Sequence, residues 1–481
     1  MSESSPAVAV RGATRSVASF DPWILGILAA GLLIRLPFLP HIYYEPDISY
    51  WKSWLAYSTA NGIHQVYALD LPGQTYPPLL LYVLWLLGSL YLRLWRPEDS
   101  PLLTALVKIP AVVGDLVVAL LLCVFARHLW AHRSPARPLA AGGRFSPRVA
   151  AAILAFHPTL IWNSSLWGQF DVVIGGIACV AWFLLLSGST WRAGALLAAG
   201  VLTKPQGLII LPAAAALLAA RSGAMGIVKA ILAGASVCAI VTLPFVVSGH
   251  AGKLAGIYAG AGGVYPYLSV NAYNPWWIYI AAFGGGRSCL EFRDDAPIAG
   301  FVGAHHVGLV LFMAATAWIV WRSWLLGRGD ATGFSSRAWR LLTLQWLAFF
   351  LLPTQIHERY LFPALISMAP VVLLERRWRW VYGLLSLGVL LNLMLIAPAT
   401  RTLFAISQTL SGRGILAALA FTAIAAALAL AEIRDGRSAA ESARIRPRPS
   451  IDGPRDSTAR SEPPTAPARG SAGDPPVEGE G

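Results

Sequence analysis

"LTALVKIPAVVGDLVVALLLCVFA" (103–126), followed at once by "RHLWAHRSPARPLAAGGRFSPR" (127–148), decides the class of fold. The first stretch is longer than the ~20 apolar residues an α-helix needs to cross hydrocarbon. The second carries five arginines and no acid, the composition of a loop kept on the cytoplasmic side. Comparable apolar runs recur along the chain at about 23–40, 149–166, 171–187, 191–204, 206–221, 227–248, 301–325, 338–353, 360–375, 380–397 and 413–433. Of the 481 residues 56% are hydrophobic and only 13% charged, where a globular domain carries about a quarter. A water-soluble enzyme, a disordered chain and collagen are excluded. The expectation is an all-α polytopic membrane protein of about 12 transmembrane helices.

Charge placement orients it. With Arg11, Arg15 and the 127–148 loop inside, one crossing outward at 23–40 and one back at 103–126 suffice. The apolar segment 77–95 is then an oblique or interfacial helix on the outer side. Arg192, Arg221, Lys229, Arg322, Arg328, Arg337, Arg340, Arg376, Arg377 and Arg379 fall inside on the same scheme, so 25 of the 37 bases are cytoplasmic. The net charge of +13 therefore reports topology, and no nucleic-acid partner is expected. The chain divides into a cytoplasmic segment 1–21, a membrane domain 22–433 with long outer loops at about 41–102 and 249–300, and a basic Pro/Gly-rich tail 434–481 expected to be disordered and cytoplasmic. Cys123, Cys179, Cys238 and Cys289 are scattered singly and suggest no disulfide framework.

Acids take the other side. Eleven of the fourteen between residues 22 and 433 map outward: Glu45, Asp47, Asp70, Glu98, Asp99, Asp115, Asp171, Glu291, Asp294, Asp295 and Glu358. Charges next to hydrocarbon are costly and mark function. In "YYEPDISYWKSW" (43–54), Asp47 opens a helix-like stretch with Tyr50, Trp51 and Trp54 at helical spacing. Asp47 is either a helix cap or a general base beside an aromatic platform for a sugar ring. Glu45 and Asp47 together are a weak divalent-cation pair. The pairs Asp294-Asp295 and His305-His306 read as solvated loop and interfacial residues.

The first outer loop resembles a known family. The acid after the first span, the Tyr and Trp residues that follow, a Gly-containing turn and "YPPLLLY" (76–82) are similar to the GT-C superfamily of membrane glycosyltransferases. The likeness is to its polyprenyl-phosphate-sugar-dependent branch, which includes dolichyl-phosphate-glucose glucosyltransferases and bacterial mannosyltransferase-like relatives. It continues through "KIPAVVGDL" (108–116), "HPTLIWNSSLWGQFD" (157–171), "LTKPQG" (202–207), "SVNAYNPWW" (269–277) and "HERYLFP" (357–363), from about residue 20 to 375.

The resemblance implies a GT-C-like helical bundle in which Asp47 is the catalytic base of an inverting hexose transfer. The donor would be a polyprenyl-phosphate sugar. The acceptor would be a hydroxyl of a lipid-linked or cell-envelope glycan at the outer face of a bacterial plasma membrane, with membrane lipids as surroundings and both termini cytoplasmic. Phosphate should then meet bases: Lys204, at a helix break made by Pro205, or else snorkelling; and His357 with Arg359, or else a local ion pair with Glu358. Arg401 is a weaker candidate. Sugar or acceptor contacts fall to Glu45, Tyr50, Trp51, Tyr76, Trp167, Gln169, Asp171, Asn271 and Asn274. No cofactor is required, although a divalent metal is compatible. Cytoplasmic loops of about twenty residues leave no room for the ~30-residue βαβ unit of a nucleotide site, which favours a lipid-borne donor. The alternative is a transporter or flippase of lipid-linked sugars, for which Asp115 within its span is the friendliest feature.

Overall fold

The computed structural model describes residues 21–69, 75–94, 99–131, 145–298, 300, 302–329, 335–396 and 414–445. Asp70, Glu98, Arg401, the amino-terminal segment to residue 20 and most of the basic 127–148 loop lie outside them. The protein is mostly helical.

The order is α1 Pro22–Arg35, α2 Glu45–Asn61, α3 Pro78–Leu94, α4 Pro101–Ala131, α5 Pro147–Ala155, α6 Pro158–Ile161 with a π-helical turn Trp162–Trp167, α7 Asp171–Leu186 and α8 Thr190–Thr203. Then follow a 3₁₀ turn Pro205–Ile210, α9 Leu211–Val247, α10 Ala251–Ala259 and α11 Pro275–Phe283. The chain continues with α12 Ala304–Gly327, α13 Ser336–Leu351, α14 Phe362–Leu374, α15 Arg379–Ile396 and α16 Gly414–Ile445. Two-residue strands Pro297–Ile298 and Val302–Gly303 pair antiparallel between α11 and α12.

Among the described residues four stretches are long and apolar enough to cross a membrane: Pro101–Trp130, Pro205–Val247, Ala304–Gly327 and Gly414–Gly436. The pair Pro147–Ala155 and Pro158–Trp167, bent by 41°, makes a fifth if counted as one span. Helices such as α1, α7 and α14 are apolar but shorter. Side chains such as Ile231, Ile240 and Val247 on α9 and Val310 and Met313 on α12 stand exposed on these surfaces, as helices facing lipid require.

Length alone says that Pro205–Val247 cannot be one crossing. Forty-three helical residues would reach about 65 Å at 1.5 Å each, twice the hydrocarbon thickness. The break is at Gly223, whose φ of 59° and ψ of −163° belong to glycine alone. Before it, Leu217 and Ala220 pack on Gly327 at the end of α12; after it, Ala230 and Gly234 lie along Gly194 of α8. The separate stretches read at 206–221 and 227–248 are these two halves.

α14 is the axis. Every residue from Phe362 to Leu373 is buried, and a helix apolar on all sides belongs inside. It packs against α13, α7, α15 and α4. Charges separate towards the two ends of the bundle. Arg322 of α12, Arg337 and Arg340 of α13 surround the buried Glu432 at 2.9, 2.7 and 3.6 Å. Arg340 and Arg377 also hold Glu375. The start of α12 lies at the opposite end, where His305 meets Asp294 at 3.3 Å; seventeen helical residues from there to Arg322 span about 25 Å.

One expectation needs correction. The tail read as irregular from residue 434 continues α16 as helix to Ile445. "RDGRSAAESARI" (434–445) is rich in Ala and Arg, both strong helix formers, and prolines return only at 447.

Candidate functional site

Asp47 lies in the first turn of α2, behind Pro46 and Glu45. Proline is pre-organised for a helix start, and acids there meet the positive end of the helix dipole. Its side chain is not left as a cap. The Trp167 indole Nε1 donates to Oδ2 at 2.7 Å, and the Gln169 amide donates to the same oxygen. Both donors sit on the turn that ends the π-helical segment. There Gly168 at φ 89° turns the chain, and the Gly168 and Gln169 amides both donate to the Asn163 carbonyl. Asn163 Nδ2 returns a bond to Gln169 O at 3.3 Å.

α8 ends at Thr203 because Pro205 disfavours helical geometry in the residue before it. Lys204 is accordingly extended, at φ −153° and ψ 142°. Its Nζ donates to Asp171 Oδ1 at 2.5 Å, with Tyr76 and Tyr360 rings at 5.4 and 5.7 Å. Asp171 occupies the first turn of α7. Arg359 precedes α14; its Nη1 donates to Glu358 at 2.8 Å, and its Nε makes no hydrogen bond, lying 3.9 Å from Asp171 Oδ2. The guanidinium stands 5.6 Å over the Trp167 ring.

Asp47, Lys204 and Arg359 line a single cavity of about 340 Å³. Tyr50, Trp51, Trp54, Tyr76, Tyr265, His357 and Tyr360 line it too, as do Leu208, Ile209, Leu309, Phe312 and Phe349 on an apolar side. A separate hollow of about 190 Å³, bounded by Val118, Leu122, Val180 and Pro370, is almost wholly apolar and shares none of these charges. Chemistry belongs to the first.

Burial pushes the His357 imidazole below its usual value, and the neighbouring Arg359 pushes it further. Burial alone would raise Glu358, but Arg359 and His357 outweigh it and hold the carboxyl low. Burial would lower Arg359; Glu358, Asp47 and Asp171 more than reverse that. Burial raises the Tyr44 phenol to about 12. With His357 neutral, Asp47, Asp171 and Glu358 face Lys204 and Arg359, and a cation pair stands among three carboxylates.

Not every residue expected to touch a sugar faces the cavity. Trp167 and Gln169 are fully buried and bind Asp47, while Tyr76 Oη donates to Gln169 Oε1 at 3.4 Å. Asp171 is buried and holds Lys204. Asn274 is the N-cap of α11: it accepts from Trp277 N and donates to Phe350 O at 3.2 Å. Asn271, at φ 60°, bridges the His357 backbone and accepts from Cys289 at 3.2 Å. Glu45 is exposed and outside the cavity lining. Among the described residues no cluster of three His, Cys, Asp or Glu could hold a metal ion.

Sequence reasoning also passed over residues that matter. Asp294, read as solvated, is 3% exposed and accepts from Thr354 at 2.7 Å and Gln355 at 2.8 Å. His305, read as interfacial, lines the cavity beside Thr354 and Gln355. Asp295 is exposed and paired with Arg293. A signal existed for Asn274, since Asn before Pro at a helix start is a cap signature. None existed for the Asp294 contacts, which join loops about sixty residues apart in sequence. Compared with known protein families and with curated proteins, the chain matches no family model and no curated sequence.

Proposed function

We propose that this protein is a multi-pass membrane glycosyltransferase. It moves a hexose from a polyprenyl-phosphate donor to a hydroxyl of a lipid-linked or cell-envelope glycan, with inversion and with Asp47 as general base. One observation carries the reading: Asp47, Lys204 and Arg359 line one cavity whose other walls are aromatic and apolar. The acceptor oxygen bonds the anomeric carbon as the bond from that carbon to the donor phosphate oxygen breaks. The acceptor proton passes to Asp47, and polyprenyl phosphate leaves. An ionised phosphate needs no proton from the protein, so the reaction calls for one carboxylate and nearby positive charge. Lys204 and Arg359 supply that charge. The buried donors Trp167 and Gln169 fix which face of Asp47 meets the acceptor. Tyr50 offers a stacking surface for a sugar ring, while Trp51, 1% exposed and packed by Trp54, Tyr76 and Phe170, backs the cavity wall.

The apolar wall supports a lipid-borne donor. Leu208 and Leu309 reach the surface and, with Phe312 and Phe349, continue the cavity to a side that faces lipid in this reading. About twelve crossings, with the short helices tilted or broken, put the Arg322–Arg337–Arg340 end in the cytoplasm by the positive-inside bias. The cavity then opens at the outer face, and α2 and α3 lie in the interface. Asp115, the feature most compatible with transport, is closed off by Arg35 and Ser164.

The test is to incubate the purified protein with a panel of polyprenyl-phosphate hexoses and a glycan acceptor, and to follow donor consumption and the anomeric configuration of the product. Transfer with inversion from at least one donor is expected. A folded protein that consumes none of them, or a product of retained configuration, contradicts the proposal.

A further inference from the structure

Lys108 is a lysine with no carboxylate partner among the described residues, fully buried within the long apolar helix α4. Its ammonium faces four backbone carbonyls instead: His41 at 2.7 Å, Ser165 at 2.9 Å, Leu166 at 3.0 Å and Phe38 at 3.3 Å. The Tyr43 ring stands 5.3 Å away. A buried ammonium is costly unless its hydrogens are bonded, and three hydrogens shared among four carbonyls meet that demand.

The carbonyls come in two pairs with different roles. Ser165 and Leu166 belong to the π-helical turn that presents Trp167 and Gln169, the two donors to Asp47. Phe38 and His41 belong to the segment that leads from α1 into α2, where Asp47 begins the helix. Lys108 therefore ties the strand of chain carrying the base to the strand carrying its donors. Gly168 closes the arrangement from the other side. A Cβ there would sit 3.0 Å from Lys108 Cγ and 2.8 Å from Ile48 Cδ1, so the lysine stem, the glycine turn and the residue after Asp47 are in mutual contact. Ser165 and Leu166 lie in the last turn of the π-helical segment, where carbonyls have no partner further along the helix, and Lys108 satisfies both.

We infer that Lys108 is a positioning residue for the proposed transfer: it holds the Trp167–Gln169 turn in register with Asp47 without touching substrate. The inference rests on the glycosyltransferase reading for its kinetic consequence, but not for its structural one. A base held loosely loses rate more than affinity, because positioning matters most in the transition state.

Two measurements on the full-length protein test it. The first needs no activity: hydrogen–deuterium exchange of wild type, Lys108→Met and Lys108→Gln. Faster exchange is expected in both 36–50 and 160–170, with α7, α13 and α14 unchanged. Exchange that rises in neither segment, or in all helices alike, overturns the inference, as does failure of both variants to fold. The second is kinetic. Lys108→Met should lower kcat about 10- to 100-fold with donor KM within about 3-fold, and Lys108→Arg should recover most of the loss. In a Trp167→Phe, Gln169→Leu background the same change should cost no more than about 3-fold, since both donors being positioned are gone. An equal loss in both backgrounds, or a loss confined to KM, overturns the inference. A wild type that consumes no polyprenyl-phosphate hexose condemns the reading of the activity, and the exchange result still decides the role of Lys108.

Discussion

Asp47 shows how one side chain acquires a role from its surroundings. Its sequence position at a helix start left capping and catalysis equally open. The structure gives its Oδ2 two side-chain donors and places it on a cavity with Lys204 and Arg359. The three charged residues were legible because charge beside apolar runs is costly and stands out. The donors were legible as residues but not in their function, because a contact between positions 47 and 169 leaves no periodic trace in the chain. His357 offers a test at this scale. Burial and Arg359 depress its pKa below the ordinary ~6.5, so the unfolded chain takes up its proton first as pH falls. The stability it contributes is complete above about pH 6.5 and lost as pH drops through the depressed value. The thermal midpoint of wild type should fall more between pH 8 and pH 5 than that of His357→Gln. Parallel curves for the two proteins would refute the assignment.

Among the elements, the helices were readable from apolar runs, as were the breaks at Lys204-Pro205 and between 206–221 and 227–248, but the packing at the joints was not. Gly223 within a long apolar stretch gave only a glycine and neighbouring basic residues as clues, and its backbone angles show where the chain folds back. The junction of α1, α4 and the π-helical turn depends on Arg35. Its Nη2 lies 2.9 Å from Asp115, its Nη1 donates to the Gly31 and Ala155 carbonyls, and Ser164 donates to Asp115 at 2.6 Å. Both charged side chains are sealed, at 0% and 1% exposure. Removing one partner from such a pair strands the other, at a cost of about 3–5 kcal/mol, whereas an apolar replacement of both is often neutral. Arg35→Met should therefore lower the thermal midpoint strongly, and Arg35→Met with Asp115→Leu should regain most of it. A double variant no more stable than the single would contradict this account of the pair.

For the whole molecule, composition was enough to establish a helical protein with apolar helices long enough for a membrane. It could not set the number of crossings, because α1, α7 and α14 are shorter than a full span. Nor could it show that one ionic cluster, Arg322, Arg337 and Arg340 around Glu432, would stand at the opposite end of the bundle from His305 and Asp294, although the order of charges along the chain hinted at it. That separation makes topology testable. In intact cells Ser288→Cys, near the cavity end, should react with an impermeant maleimide, whereas Ser335→Cys, before α13, should react only after permeabilisation. The reverse pattern would place the cavity on the cytoplasmic side and defeat the proposed outer-face chemistry.

The central claim is that Asp47 takes the acceptor proton, and Asp47→Asn tests it most directly, since the amide keeps the size of the side chain but cannot accept that proton. Single-turnover transfer from a bound polyprenyl-phosphate hexose should slow by about 10²–10⁴-fold, with donor affinity and thermal midpoint near those of wild type. A well-folded Asp47→Asn protein that transfers the sugar at the wild-type rate would contradict it.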